Sequence, residues 1–308
     1  MKVSVVLSTY NGENYLIPLL DSLRLQSRRP DEVLIRDDCS KDSTAKIIED
    51  YISKWSLNNW KLSINKKNLG WMSNFYNGII AASGDYIFPC DQDDIWDKNK
   101  IKEMLQVMEN NSCIRLLCCD YETFYMDGAR KYEKTRTSKI KDDGTIERID
   151  FKRGFLFVDR PGCTYCIKKE LVPFMNQMYF NGYPHDALAW RAAVLNDGLF
   201  IYHKQLIRFR RHSNNASTSA SVINAKGFLS SRLNTAEYYE SFIGKALEIS
   251  INDLKKRKYL EKCEQTAVKR VEYLNDKSLS KCFLALTHIH YYPTKTSYFG
   301  DLLSIIRS

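Results

Sequence analysis

The sequence has no run of apolar residues long enough to cross a membrane, because none approaches the roughly 18 residues that a span requires. Its first residues show neither the basic segment nor the cleavage site of a secretory signal. Residues 3–7 already have the β-branched pattern of a buried strand. We therefore expect the protein to stay in the cytoplasm, where it is made.

The cysteines do not form the sets that disulfide frameworks and zinc ribbons need. There are nine of them, an odd number, and Cys163 and Cys166 make the single C-x-x-C pair. Cys118 and Cys119 lie within an apolar run, which is typical of buried free thiols in a reducing compartment. A redox role for the C-x-x-C pair stays open as the minor alternative.

Two further protein classes lack their signatures in this sequence. A nucleotidyltransferase usually has a glycine-rich phosphate loop after its first strand, whereas residues 8–11 here read S-T-Y-N. The net charge of +9 favours polyanionic partners. Because the basic residues are scattered and form no recognisable module, nucleic acid is not expected among them. Phosphorylated substrates and anionic membrane surfaces remain.

What the sequence does contain is a regular alternation of strand and helix patterns in its first 90 residues. Such alternation predicts an α/β domain in which a parallel sheet is flanked by helices. A chain of 308 residues is long enough for one such domain and a smaller appendage. Strands are predicted at 3–7, 32–35, 61–64 and 85–89, and helices at 15–26, 43–55 and 72–83. Further on, Asp143-Gly144 predicts a hairpin turn.

Polar clusters follow three of these strands, at residues 8–10, 37–38 and 91–94. Ligands of parallel sheets bind beyond the carboxyl ends of the strands, so the three clusters should meet on one rim. Asp91 and Asp93 are spaced so that both carboxylates can converge on one hard cation, Mg²⁺ or Mn²⁺. An isolated D-x-D is more often a solvated acidic loop, but its place at the rim favours a metal site.

Five motifs occur in order: V-V-L-S-T-Y-N-G from residue 5, I-R-D-D-C-S-K-D-S-T from 35, N-L-G from 68, G-D-Y-I from 84 and D-Q-D-D-I-W from 91. Together they resemble the family 2 glycosyltransferases, inverting enzymes of the GT-A fold. The D-Q-D-D-x-W form resembles the bacterial branch that includes many rhamnosyltransferases. The resemblance covers about two-thirds of the chain.

The resemblance implies a Rossmann-like GT-A domain with a mainly parallel sheet over residues 1–220, followed by a C-terminal helical extension over 221–308. Within the domain, residues 1–97 would form the nucleotide-sugar-binding half and residues 98–220 the acceptor and catalytic half. The cofactor would be Mg²⁺ or Mn²⁺, and the donor a dTDP-sugar or UDP-sugar.

The resemblance also implies the residues that contact the donor. Tyr10 offers a ring for stacking on the base, although a core aromatic is a fair alternative. Asp38 would accept hydrogen bonds from the base or ribose, with a turn or N-cap aspartate as the alternative, and Gly70 fits a plain turn equally well. Asp91 would contact the ribose. The full donor set is Thr9, Tyr10, Glu13, Asp38, Asn68, Gly70, Asn74, Asp91, Gln92 and Arg210.

Metal ligands and a catalytic base follow from the same resemblance. Asp93 would hold the metal that bridges the diphosphate, and His212 would be a second ligand, near Arg210. A solvated face is the alternative for the Arg-rich run at 208–211. Asp186, in Y-P-H-D-A from residue 183, would take the acceptor's proton, with a helix N-cap as the alternative. His185 would at most orient Asp186, and the 161–164 loop would shape the acceptor pocket.

The C-terminal tail, residues 221–308, has a helical pattern with fourteen Lys or Arg and nine Asp or Glu. Its basic run at 255–258 is a solvated helical face by default. Alternatively, apolar residues at 283–286, 291–292 and 302–306 dock on an anionic membrane surface. Equally, they could be buried against the catalytic domain or against a second subunit in a homodimer.

The function expected from these residues is inverting transfer of a sugar, with L-rhamnose from dTDP-L-rhamnose favoured. The acceptor would be a growing, lipid-linked cell-surface polysaccharide at the inner face of the membrane. A UDP-sugar-dependent hexosyltransferase is the alternative within the family. A protein that binds nucleotide sugar without catalysis is the alternative outside the enzymes. The loss of Asp93 or Asp186 would favour it, and both are present.

Overall fold

The computed structural model describes residues 1–126, 139–212, 225–249 and 252–308. The chain divides into two compact units, Met1–Ser213 and Asn214–Ser308. The sequence prediction had placed this division after residue 220. Across the described ranges, no helix has both the length and the apolar character that a membrane crossing requires.

The first unit begins with the predicted alternation of strands and helices. Val3 to Leu7 are fully buried, as expected of a central strand covered on both faces by helices. Helix α1 buries leucines at helical spacing against the sheet. The elements are β1 Val3–Thr9, α1 Leu16–Arg24, β2 Glu32–Asp37, α2 Thr44–Lys54, β3 Trp60–Ile64, α3 Trp71–Ala81 and β4 Tyr86–Asp91.

The rest of the first unit completes the sheet and carries the later helices. Two 3₁₀ turns, Gly162–Thr164 and Lys169–Leu171, flank β8. The elements are β5 Ile95–Trp96, α4 Lys100–Asn110, β6 Leu116–Tyr125, β7 Ile146–Arg148, α5 Phe151–Phe155, β8 Tyr165–Lys168, α6 Val172–Met178, α7 His185–Leu195 and β9 Leu199–Arg211.

The sheet has the order β3-β2-β1-β4-β8-β6-β9-β5, with β7 paired to β9. The first four strands are parallel, β8 runs antiparallel to both of its neighbours, and β6 is parallel to β9. The predicted mainly parallel α/β fold is therefore confirmed. A cluster of buried apolar side chains from this sheet and its helices forms a large part of the core.

The hairpin predicted at Asp143-Gly144 is wrong. A turn does occur there, because Gly144 has φ +73° and Asp143 Oδ1 accepts a hydrogen bond from the Thr145 amide. The following strand β7, however, pairs antiparallel with β9, which lies more than fifty residues later. The turn therefore positions an added strand and does not join two sequence neighbours.

The second unit is helical, as predicted. Its elements are α8 Ala225–Glu248, α9 Leu254–Asn275, α10 Leu279–Ala285, a 3₁₀ turn Leu286–Tyr291 and α11 Lys295–Ile306. Asp253 caps α9 by accepting hydrogen bonds from two backbone amides. In the interior, the buried carboxylate of Asp301 accepts hydrogen bonds from Arg232, Arg270 and Tyr273. This paired charge satisfies the rule that buried ions need partners.

Candidate active site

The predicted polar rim exists, and strand register produces it. In the parallel β1–β4 pair, Ser8 lies opposite Asp91. In the parallel β1–β2 pair, Thr9 lies opposite Asp37, and the Thr9 hydroxyl donates to the Asp37 carboxylate at 2.9 Å. Three strands therefore end together in oxygen-bearing side chains, where ligands of such sheets bind.

The two predicted metal ligands lie in contact. His212 Nε2 is 2.8 Å from Asp93 Oδ2, although the residues are 119 positions apart in the chain. The Tyr15 ring stacks on the His212 imidazole with centroids 4.4 Å apart, which fixes the orientation of the imidazole. The contact brings the end of β9 to the D-Q-D-D loop. Metal binding by this pair remains a prediction.

Arg210 anchors the same contact from β9. Its Nε donates to the Asp93 carbonyl at 2.6 Å, and its backbone amide donates to Asp94 Oδ1 at 3.0 Å. The Arg210 side chain is buried, whereas Arg208 on the same strand is exposed and pairs with Glu122. The solvated-face alternative therefore applies to Arg208 and not to Arg210.

The carboxylates behind the rim repel one another. The Asp91 and Asp94 carboxylate oxygens and the Cys163 sulfur lie within 4.8 Å of one another. Burial and the charges of Asp93 and Asp186 raise the pKa of Asp91 to about 7. Burial and the charges of Asp93 and Asp91 raise the pKa of Asp94 well above its usual value.

The acidic group of Asp91, Asp93 and Asp94 fits a divalent cation. Asp94 Oδ2 is buried and has no hydrogen-bond partner among the described residues. Negatively charged oxygen donors are the ligands that Mg²⁺ and Mn²⁺ prefer. A bound cation would stabilise the ionised form of these carboxylates and so lower their raised pKa values.

Asp186 approaches this cluster from the start of α7. It is half-buried at the second residue of α7, and its charge contributes to the raised pKa of Asp91. Its Oδ1 accepts from the Ala187 amide at 2.7 Å. The helix N-cap is Pro184, so the alternative that Asp186 is the N-cap is wrong. The carboxylate lies in the first helical turn, where the helix dipole stabilises a negative charge.

His185, the residue before Asp186, packs against α3 and the 161–164 loop. Its ring stacks on Phe75 of α3 with centroids 4.0 Å apart and meets Trp71 edge-on at 6.0 Å. Burial lowers the pKa of His185 to about 4. A Cβ on Gly162 would lie 2.3 Å from His185 Nε2, so only glycine fits there. The 161–164 loop thus packs directly beside the start of α7.

Of the residues predicted to contact the base of the donor nucleotide, some are exposed and others support their neighbours. Tyr10 is 44% exposed and can offer its ring to a ligand, whereas Thr9 is buried. The Gln92 amide accepts from the Tyr10 backbone N–H and donates to the Tyr10 carbonyl. Gln92 therefore holds Tyr10 in place with its whole amide. Glu13 accepts from the Ser43 amide at the start of α2.

Asp38 is not an N-cap, because the N-cap of α2 is Ser43; the Asp38 side chain instead anchors the N-L-G turn at residues 68–70. Its carboxylate accepts from the backbone amides of Leu69 and Gly70 and from the Asn65 side chain. Gly70 has φ +82°, a conformation that favours glycine. Asn68 Oδ1 accepts from the Gly70 amide and is exposed at the turn.

Asn74, which was predicted to border the nucleotide, lies beneath the rim. It is fully buried, and its amide is hydrogen-bonded to Ser8, the Arg36 carbonyl and Asn65. Asn74 therefore supports the rim from beneath, where it links α3 to the ends of β1 and β2.

Three residues near the site were missed from the sequence. Lys100 is fully buried, its Nζ donates to the Cys163 carbonyl at 2.6 Å, and it lies over the Trp96 ring at 3.5 Å. Tyr15 was read only as part of a helix, and Trp71 was given no role. Trp71 is 41% exposed, directly after the N-L-G turn.

Parallel strands that end in carboxylates, faced by another carboxylate from a later helix, form a ligand site at the edge of the sheet where α/β proteins bind nucleotides. Residues 4–171 match the family model described as glycosyl transferase family 2. The chain belongs to that family, and it is a glycosyltransferase that binds a nucleotide sugar.

Known proteins are similar to this chain over different lengths. The dTDP-rhamnosyl transferase RfbG of Shigella flexneri is 30% identical over 223 residues, 68% of this chain and 72% of that protein. The poly(ribitol-phosphate) beta-N-acetylglucosaminyltransferase TarS of Staphylococcus aureus is 36% identical over 105 residues, 33% of this chain and 18% of that protein.

Solved structures share the fold. The crystal structure of residues 1–349 of S. aureus TarS in complex with UDP-GlcNAc has a TM-score of 0.67 at 20% identity, and the match covers 99% of this chain and 89% of that one. A mannosyltransferase from Pyrobaculum calidifontis, in complex with GDP-Man and Mn²⁺, has a TM-score of 0.50 at 13% identity, covering 99% and 87%.

Proposed function

We propose that this glycosyltransferase transfers L-rhamnose from dTDP-L-rhamnose, with inversion, to a growing, lipid-linked cell-surface polysaccharide. The observation that carries the inverting chemistry is the approach of Asp186 to the Asp91 carboxylate from the acceptor half. The donor is supported by the 30% identity, over 68% of this chain, to a dTDP-rhamnosyl transferase. The enzyme would work at the cytoplasmic face of the membrane, without nucleic acid.

The donor half would bind and orient the nucleotide sugar. Tyr10, held by Gln92, would stack on the base, and Asp91 would meet the ribose. Asp93 and His212 would hold Mg²⁺ or Mn²⁺, which when bound neutralises the diphosphate. Arg210 would approach the same phosphates, because its guanidinium already lies against the Asp93 carbonyl.

The acceptor half would move the proton. Asp186 takes the proton of the acceptor hydroxyl while that oxygen forms a bond to the anomeric carbon. At the same time, the bond from the anomeric carbon to the diphosphate breaks, and the nucleoside diphosphate leaves with the electron pair. The sugar has oxocarbenium character during this step, and attack on the opposite face inverts its configuration.

A donor panel tests the proposal. dTDP-L-rhamnose, UDP-glucose and UDP-GlcNAc would each be supplied with Mg²⁺ or Mn²⁺ and a lipid-linked glycan fraction, and the released nucleotide measured. We expect dTDP release to be the fastest. Faster UDP release would favour the hexosyltransferase alternative. Donor binding without release from any donor would favour the non-catalytic alternative.

A further inference from the structure

The second unit exposes apolar side chains along two helices. Each helix contributes to a set of three such residues at the spacing i, i+4 and i+7, which places each set on one helix face. The last residue of the first set, Leu286, is the C-cap of α10 and begins the 3₁₀ turn, and its backbone is still helical. We call these sets the α10 stripe and the α11 stripe. The α10 stripe is Leu279, Phe283 and Leu286, and the α11 stripe is Phe299, Leu303 and Ile306.

The stripes are not part of the core of this unit. Cys282 and Ala285 from α10, and Tyr298 and Ile305 from α11, are buried in a separate cluster. Tyr292 is buried there too, so it is not one of the surface residues that the sequence suggested. Leu284, by contrast, is 73% exposed next to the α10 stripe. The unit therefore fills its core and still presents apolar surface, which marks an interaction site.

The segment that carries the stripes has a positive net charge. Residues 277–308 contain four Lys or Arg against one acidic residue, Asp301, which gives a net charge of +3. Asp301 is buried and paired with Arg232 and Arg270, so it does not face solvent. Lys281 pairs with Glu272 and Asp276 at the end of α9. Including residues 269–276 adds two basic and two acidic residues, and the net charge stays +3.

This charge selects among possible partners. Two copies of the chain that met through the same stripes in a two-fold dimer would bring like charges together. An anionic lipid surface instead attracts the basic residues and accepts the Phe and Leu side chains at its headgroup boundary. We propose that the α10 and α11 stripes dock on an anionic membrane surface. The exposed residues carry this proposal, and it rests on the proposed function in one respect: docking would bring the enzyme to a lipid-linked acceptor.

Vesicle sedimentation with the full chain tests the proposal. We expect binding to vesicles of phosphatidylglycerol and phosphatidylcholine that weakens with salt, and little binding to phosphatidylcholine alone. The double variant Phe283→Ser/Phe299→Ser should bind the anionic vesicles about tenfold or more weakly. Leu254→Ser is the matched control, because Leu254 is 79% exposed in the same unit but outside both stripes.

Three results would overturn the proposal. The first is a folded wild-type protein that ignores the anionic vesicles at low salt. The second is equal loss of binding in the double variant and in Leu254→Ser. The third is a wild-type oligomer that the double variant dissociates without any change in vesicle binding. Hydrolysis of dTDP-L-rhamnose, which the double variant should retain, reports separately on the proposed function.

Discussion

Among single residues, Asp93 connects the D-Q-D-D loop to the end of β9 by two different groups. Its carboxylate meets His212, whereas its backbone carbonyl accepts from Arg210. A change of the side chain removes the first contact and leaves the second, so a loss of metal binding can be separated from a loss of loop structure.

Asp93→Ala should abolish transfer and leave the fold intact, because Asp93 would be a ligand of the Mg²⁺ or Mn²⁺ that neutralises the diphosphate, and the remaining carboxylates would not replace it. Nucleotide release, Mn²⁺ binding and the melting temperature would be measured together. Asp50→Ala on the exposed face of α2 is the control, since its carboxylate pairs only with the surface residue Lys46. Full activity of Asp93→Ala in excess EDTA would exclude the metal role.

Lys100 shows why the side-chain environment of this site was only partly predictable. The D-Q-D-D-I-W motif and its position at a strand end were enough to predict the acidic rim. A lysine in the following helix reads as a solvated residue, because burial of a charge depends on contacts that no local pattern records. Here the loop carbonyl of Cys163 and the Trp96 ring provide those contacts.

Among the elements, α3 and α7 meet through His185, and the 161–164 loop packs on the same ring. Phe75 lies on one side of the imidazole and Gly162 close to its Nε2. The position of Asp186 therefore depends on three elements that are far apart in sequence, and small changes in their packing should displace the carboxylate of this proposed base.

Gly162→Ala tests this packing. The new methyl group would overlap His185 Nε2, so the start of α7 must shift, at a cost typical of overpacking, about 1–3 kcal/mol. We expect a lower melting temperature and a larger loss of turnover than of donor affinity. Gly244→Ala in α8 is the control, because its nearest new contact would be at 4.0 Å. Equal behaviour of the two variants would contradict the packing role.

His185 also predicts a pH dependence of stability. The folded protein keeps the imidazole neutral down to its pKa of about 4, whereas the unfolded chain takes up a proton near the usual value of 6.5. Stability should therefore be lost as the pH falls from about 6.5 to about 4. His185→Gln should show a smaller decrease in melting temperature over this range. The same dependence of melting temperature on pH in the wild type and in His185→Gln would contradict this role of His185.

The element order was largely predictable, whereas strand pairing in the second half was not. Hydrophobic runs followed by polar clusters predicted β1 to β4 and the rim, because both features are local. The antiparallel position of β8 between β4 and β6, and the pairing of β7 with β9, depend on long-range contacts. For that reason the turn at Asp143-Gly144 was taken for a hairpin.

At the scale of the whole molecule, the chain separates chemistry from the proposed attachment. The predicted site residues, His212 included, lie in Met1–Ser213, and the apolar stripes lie in Asn214–Ser308. Of the net charge of +9, residues 221–308 contribute +5, from fourteen basic and nine acidic residues. The sequence was sufficient to predict a basic helical tail. The sequence did not show which apolar residues of the tail face solvent, because that depends on which of them pack into the buried cluster with Tyr292 and Ile305.

The central claim is that Asp186 is the base of an inverting transfer, and Asp186→Asn tests it most directly. Asparagine keeps the size of the side chain but cannot take the proton, so turnover should fall about 10²–10⁴-fold. Donor affinity and melting temperature should stay near those of the wild type. Asp197→Asn is the matched control, since Asp197 is an exposed carboxylate of the same unit that pairs with Arg148. Near-normal turnover of Asp186→Asn, measured as nucleotide released in the presence of acceptor, would contradict the account.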